Sequence, residues 1–280
     1  SRPITFYENH AQAHIGNLRL DEITRSTIKD FLQPLFFTNT DLAAKLLGYI
    51  RNVFEDAVDV RLIEDNPCPT RFTRPQRATK HAPSLEYQKL PELWAWLQNQ
   101  PFSNTVKTAM RLAVVTAHRA SVIAHMRKAH FDRSTGVWAI PQKPKGSREV
   151  GFMKSGRAFS MRLPRAMRNE LDPLIMANNE CPFVFSLDGH NAINVESLRK
   201  NFKTYAPIST HGFRNTFKTW CLNNNVDDFL ADRYVDHALQ GLDKNYRRDD
   251  LFEQRADLAE RYLEFCNGNE LFVRRDPNAK

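Results

Sequence analysis

Apolar residues recur at helical spacing through most of the chain. In DEITRSTIKDFLQPLF (21–36) and TDLAAKLLGYIRNVFEDAVDVRLIEDNP (40–67) they fall three and four apart. Leu42, Leu46, Ile50, Val53 and Ala57 line one face, Thr40 or Asp41 stands where an N-cap is wanted, and Pro67 lies beyond the end. This spacing predicts a small all-helical domain over 1–68. Residues 69–83 carry neither helical nor strand periodicity and read as a linker. Beyond them, LEYQKLPELWAWLQNQ (85–100) and NTVKTAMRLAVVTAHRASVIAHM (104–126) read as helices. Three short β-like runs follow, GVWAIP (136–141), REVGFM (148–153) and AFSMRL (158–163), separated by turns containing KPKGS and KSGR. Helical spacing returns from PRAMRNELDPLI (164–175) to the end. The expected fold is mainly α with a small antiparallel β-sheet. It has two domains, 1–68 and 84–280, the second ending in a C-terminal helix and tail, joined by a linker over 69–83.

Composition agrees with two domains. The chain has 280 residues, 41% hydrophobic and 26% charged, as in an ordinary soluble globular protein. No apolar run approaches the roughly 18 residues of a membrane span, and SRPITFYENH has no signal-peptide core. The sequence begins with Ser1, so it reads as a processed chain or a piece of a longer one. Cys68, Cys181, Cys221 and Cys266 are scattered and form no zinc-binding spacing, which suits reduced thiols in a cytosolic setting.

Charge sharpens the picture. Lys and Arg exceed Asp and Glu by 8, with a pI near 9.4, which points to a polyanionic partner. The excess is concentrated. NPCPTRFTRPQRATKHAP (66–83) carries Arg71, Arg74, Arg77 and Lys80 and no acid. Residues 141–168, which include Lys143, Lys145 and Arg148, hold eight basic residues against the single Glu149. Two such stretches favour double-stranded DNA held between the domains, with these side chains on its phosphates.

The candidate chemistry lies in STHGFRNTFKTWCLNNN (209–225). Ser209 or Thr210 suits the N-cap of a helix running from His211 to about Leu222. On that helix Phe213, Phe217, Trp220 and Cys221 make an apolar stripe, while His211, Arg214 and Lys218 make a polar stripe about a quarter-turn away. A capping His and a solvated Arg would explain this helix taken alone. His237 in YVDHALQG follows Arg214 by 23 residues, Tyr246 in KNYRRDD follows His237 by nine, and Arg119 lies upstream in VVTAHRASVIAHM, inside a helix. His118, His125 and His130 crowd that upstream region, but no carboxylate or thiol pattern supports a metal site there.

Arg119, a lysine on a β-turn, His211-x-x-Arg214, His237 and Tyr246, in this order and at these distances, resemble the tyrosine recombinase (phage integrase) family. The likeness is strongest to the integrases of genomic islands and satellite phages. It implies a core-binding domain over 1–68, a catalytic domain over 84–280, and site-specific recombination through a covalent 3′-phosphotyrosine. Arg119 and Arg214 would grip the phosphate, because a guanidinium is always charged and offers a planar fork. His211 would be the general base, His237 a hydrogen-bond donor to the phosphate, and Tyr246 the nucleophile. A lysine would protonate the leaving 5′-hydroxyl, and both Lys154 and Lys143 are placed for it, with Lys154 preferred.

The resemblance further implies a homotetramer on DNA, a monomer without it, and an accessory DNA-bending protein or excisionase. It implies no cofactor, metal, ATP or membrane, and a cytoplasmic, nucleoid-associated protein of a bacterium or phage. The amphipathic segment 251–266 would dock on a neighbouring subunit. Two features depart from the family. Val122 stands three residues after Arg119, where an acid is usual, and residues 1–20 hold no arm-binding domain. Val122 is the one feature that speaks for an inactive DNA-binding protein. A type IB-like topoisomerase is the other alternative.

Overall fold

A computed structural model describes residues 2–75, 83–177, 180–237 and 250–269 of the chain. The chain divides into two compact units, 1–80 and 81–280. The first is built from α1 (Arg2–His10), α2 (Gln12–Ile15), α3 (Arg25–Thr38) and α4 (Thr40–Asp59). Thr24 and Thr27 close a capping box at the start of α3. Asn39, not Thr40 or Asp41, caps α4 by accepting the Leu42 N–H at 3.2 Å.

The buried stripe of α4 is Ala43, Leu46, Leu47, Ile50, Phe54 and Ala57. Val53, expected in it, is 60% exposed. Phe54, four residues after Ile50, takes the inward position, and the larger ring gains more from burial. The first half of the expected linker is laid against this unit. Phe72 stacks on Phe36 at 4.5 Å, the Gln33 side chain donates to Thr73 O at 2.8 Å, and Arg51 donates to Pro69 O at 3.0 Å.

The second unit holds α5 (Leu90–Asn99), α6 (Asn104–Thr116), α7 (Ala120–Ala124), α8 (Arg165–Met176), α9 (Val195–Lys203), α10 (Gly212–Asn223), α11 (Asp228–Tyr234) and α12 (Phe252–Cys266). The continuous helix expected over 104–126 is broken. Ala117 is left-handed at φ 51°, and Arg119, in extended backbone, is the N-cap of α7. Local and distant groups compete for the end of α6. Thr116 Oγ1 donates to Leu112 O at 2.8 Å and accepts the His118 N–H at 3.3 Å, while the Tyr234 hydroxyl donates to Val115 O at 2.7 Å.

The sheet is antiparallel in the order β1 (Phe131–Asp132), β2 (Val137–Ile140), β3 (Phe159–Arg162), with Trp138 opposite Met161. REVGFM is not a strand. Gly151 sits at φ +92° and Met153 is buried, which breaks the alternation, and β3 pairs directly with β2. Helix α12 packs its Leu258, Ala259, Tyr262 and Leu263 face into its own unit, against α5, α6, α11 and β3. The amphipathic face of this helix is thus covered in cis. All four cysteines are buried and free. Among the described residues no helix is long and apolar enough to cross a membrane.

Two glycines should respond oppositely to alanine. A β-carbon at Gly212 would meet Pro83 O at 2.1 Å, whereas one at Gly48, inside α4, meets nothing within 4 Å. Gly212→Ala should cost about 1–3 kcal/mol through backbone displacement. Gly48→Ala should stabilise its unit by roughly 0.5–1 kcal/mol. Chemical denaturation of each variant checks both signs.

Candidate functional site

Aromatic packing in the second unit fixes the elements that carry the polar residues. Phe217 of α10 stacks on Tyr234 of α11 at 4.3 Å and meets the edge of Tyr262 of α12 at 4.9 Å; Trp220 lies 4.9 Å from Tyr262. The Tyr234 hydroxyl reaches Val115 O near the end of α6, and the buried Thr216 hydroxyl donates to Leu85 O at 2.6 Å. Three separate places in the sequence are locked together in this way: the N-terminal turn of α10 with His211 and Arg214, the C-terminal end of α11 with His237, and the α6–α7 break with Arg119. The sequence puts the aromatics on one stripe of α10, so the neighbouring stripe is delivered to a common site.

Electrostatics show that the five groups share one field. Arg214 is 3% exposed, and its Nε, Nη1 and Nη2 have no hydrogen-bond partner among the described residues. Burial, then the charge of Arg119, lowers its pKa to about 10, against the opposing pull of Asp236 and Asp232. His211 is held below the ordinary imidazole value by burial and by the charges of Arg214, Arg119, Lys154 and His237. Half-buried Arg119 is lowered by burial and raised by Asp236. The fully buried His118 is pushed down to about 3, by burial first and then by Arg214, Arg255 and Arg119. It lies against Phe159 at 5.0 Å and Trp138 at 5.8 Å and is neutral at physiological pH. Among the described residues no group of three His, Cys, Asp or Glu side chains could hold a metal ion.

Both candidate lysines stand on the β2–β3 connection. Lys154 is exposed on the turn before β3, one residue after the buried Met153, and its charge acts on His211. Lys143 stands at the other end, its N–H donating to Gly156 O at 2.9 Å. Lys145 and Arg148 are exposed along the same connection. In the first unit Arg71 is exposed, and Arg74 lies over the Phe36 ring at 5.2 Å. Tyr246, Arg77 and Lys80 lie outside the described residues.

Three further residues were not singled out by sequence pattern. Asp232 accepts from Lys218 Nζ at 2.8 Å and lies 3.0 Å from His237 Nδ1, which orients that imidazole. Asp236 accepts from the Ser155 hydroxyl at 2.9 Å. Arg255, fully buried over the Phe159 ring, donates to Asp250 O at 2.8 Å and Ser160 O at 2.7 Å and pairs with the Asp250 carboxylate. Spacing would have suggested none of them, since each acts through the tertiary fold.

A buried guanidinium, unpaired among the described residues, shares its field with a second arginine, an exposed lysine and two histidines, an arrangement with the chemistry to take an anion. The chain belongs to the phage integrase family, the tyrosine recombinases, whose family model matches residues 83–251. It is 22% identical over 227 residues to the integrase of enterobacteria phage P4, which covers 76% of this chain and 52% of that protein. It is 22% identical over 281 residues to the Escherichia coli K12 protein IntB, covering 94% of this chain and 69% of that protein. The chain thus spans about half the length of the phage P4 relative. In fold it is similar to a lambda integrase tetramer bound to a Holliday junction, with TM-score 0.65, 15% identity, and 89% and 71% of the two chains covered. The Tn1549 transposon integrase in complex with a circular intermediate DNA gives TM-score 0.63, 12% identity, and 87% and 90% coverage.

Two measurements probe these buried groups. In anion-free buffer Arg214→Met should be at least as stable as the parent, because it removes an uncompensated buried charge. Sulfate should raise the melting temperature of the parent more than that of the variant, because specific binding adds to the general salting-out stabilisation that both share. His118 has a folded pKa below its unfolded value, so its contribution is present at neutral pH and is lost as pH falls from about 6.5 toward about 3. Between pH 7.5 and 5 this loss is about 2 kcal/mol. His118→Leu should lose that much less stability over the same interval in urea titrations.

Proposed function

We propose that the protein is a site-specific recombinase that cleaves and rejoins DNA strands through a covalent 3′-phosphotyrosine on Tyr246. The observation that carries this reading is the Arg214 fork, buried, with its three nitrogens unpaired among the described residues and the charge of Arg119 acting on it. A phosphodiester supplies the anion that such a fork lacks. As the phenolic oxygen attacks phosphorus, charge grows on the non-bridging oxygens, and donors already aimed there lower the barrier.

The step balances with these groups alone. The Tyr246 oxygen bonds to phosphorus and its proton passes to His211. The bond to the 5′-oxygen breaks, and that oxygen takes a proton from Lys154. The His237 imidazole, steadied by Asp232, donates to a non-bridging oxygen. Attack by the 5′-hydroxyl of a second strand reverses the chemistry, and the phosphotyrosine bond conserves the energy, so neither nucleotide hydrolysis nor a metal is needed. Chain length supports the role of Tyr246. His237 and Asp250 line one small cavity of about 110 Å³, Arg255 anchors Asp250, and Tyr246 stands four residues before it, a reach of at most about 14 Å.

DNA contacts fall to Arg71, Arg74, Arg77 and Lys80 in the first basic stretch and to Lys143, Lys145 and Arg148 in the second. A homotetramer on two duplexes, with a DNA-bending accessory protein, in the cytoplasm at the nucleoid, is the assembly this chemistry asks for, since strand exchange needs four cleavages. On fragmented genomic DNA the protein should leave adducts resistant to detergent that map to Tyr246 by mass spectrometry. Tyr246→Phe should bind without forming them, and Arg214→Lys should slow them by about 10²-fold or more. Binding should weaken with salt at a log–log slope near −0.9 per phosphate contact. An adduct on another residue, or none, would overturn the reading.

A further inference from the structure

We infer that Asp236 is a positioning residue that holds the Lys154 turn against the His237 end of α11. The inference rests on the recombinase reading and concerns how its general acid is aimed. Asp236 is the residue immediately before His237, and its partner Ser155 is the one immediately after Lys154. Its Oδ2 accepts the Ser155 hydroxyl at 2.9 Å, and its Oδ1 lies 3.7 Å from Arg157 Nη2. The Asp236 side chain is only 8% exposed, although Arg157 is mostly in solvent. Ser155 in turn accepts the Arg157 N–H at 3.3 Å, so one carboxylate and one hydroxyl close the turn on itself. These contacts join residues 81 apart in sequence and place a proton donor and a phosphate ligand side by side.

The backbone shows that the carboxylate is held in place at a cost. Asp236 sits at φ 53°, in the left-handed region where glycine is at ease and other residues lose on the order of 1 kcal/mol. A glycine would relieve that strain but leave Ser155 without its acceptor. The usual acidic position is not available for the task, because Val122 is 1% exposed within the apolar core. Asp236 also acts on Arg119 and Arg214 through charge. Two modes of action are therefore distinguishable: steering the lysine, or steering the arginine clamp. The direct hydrogen bond goes to the lysine's turn, and that is the role assigned.

A substrate that needs no proton on its leaving group separates the two. Adduct formation is followed on a nicked duplex carrying the sequence at which the parent protein forms its adduct, and on the same duplex with a 5′-bridging sulfur at the scissile phosphate. A thiolate leaves without protonation. Asp236→Gly should fold as well as the parent, cleave the ordinary diester about 10²-fold more slowly, and cleave the sulfur-bridged diester at nearly the parent rate. Asp236→Asn, which keeps an acceptor for Ser155 and tolerates the left-handed backbone, should stay within about tenfold of the parent on the ordinary diester. Ser155→Ala should repeat the Asp236→Gly pattern more mildly. Equal loss on both substrates, or no loss on either, overturns the inference and leaves the recombinase reading standing. A parent protein that forms no adduct on either substrate overturns both.

Discussion

A buried guanidinium with no hydrogen-bond partner among the described residues is the constraint around which the second unit is organised. Removing such a charge from water costs several kcal/mol, and among the described residues no hydrogen bond offsets it, Asp232 and Asp236 acting only through space. The stabilisation comes instead from the aromatics on the next stripe of the same helix. Phe213, Phe217 and Trp220 are each at most 1% exposed, and burying rings of this size contributes on the order of 1.5–3 kcal/mol apiece. The helix is thus held by one face while the other presents an electrostatic deficit. Arg255 shows the contrast within the same chain. It is equally buried, yet it is bonded to two carbonyls and a carboxylate and stacked on Phe159. One arginine is saturated and structural, the other unsaturated and open to a ligand.

The surrounding acids are arranged so as not to close that deficit. Asp232 is engaged by Lys218 and His237, and Asp236 by Ser155 and Arg157. Both raise the pKa of Arg214 through space while leaving its fork free. The positive field of the site is thereby reduced without a direct ion pair to Arg214 among the described residues. Protonation of His211 is disfavoured by burial and then by the same field, which agrees with the general-base role proposed for it.

Much of this was legible in the sequence, and the failures have physical causes. The apolar stripe of α10 follows directly from 3.6-residue periodicity, and the structure buries all four of its expected members. The break before Arg119 was not legible, because Ala117 is a good helix former and part of the bonding at the end of α6 comes from Tyr234 in a distant element. REVGFM is bounded by turn residues as a short strand would be, but β3 already occupies the free edge of β2. Val53 was misplaced because two apolar residues competed for one inward position, and the larger prevailed. Burial of Arg214 was invisible, since an arginine on a helix edge is ordinarily solvated.

Least legible were the acids, and the reason is general. A carboxylate that tunes a cationic site must satisfy a distance to charge, and any element that reaches the site can supply it. In α7 the residue three after Arg119 faces the core, so an acid there would be buried among apolar neighbours. The end of α11 approaches the same charges from the other side, already carrying His237, and a left-handed residue at 236 turns its side chain back toward the β2–β3 connection. A carboxylate at that point reaches both the arginines, through space, and the turn that bears Lys154, through a hydrogen bond. Its location in sequence is therefore free to vary while its location in space is not.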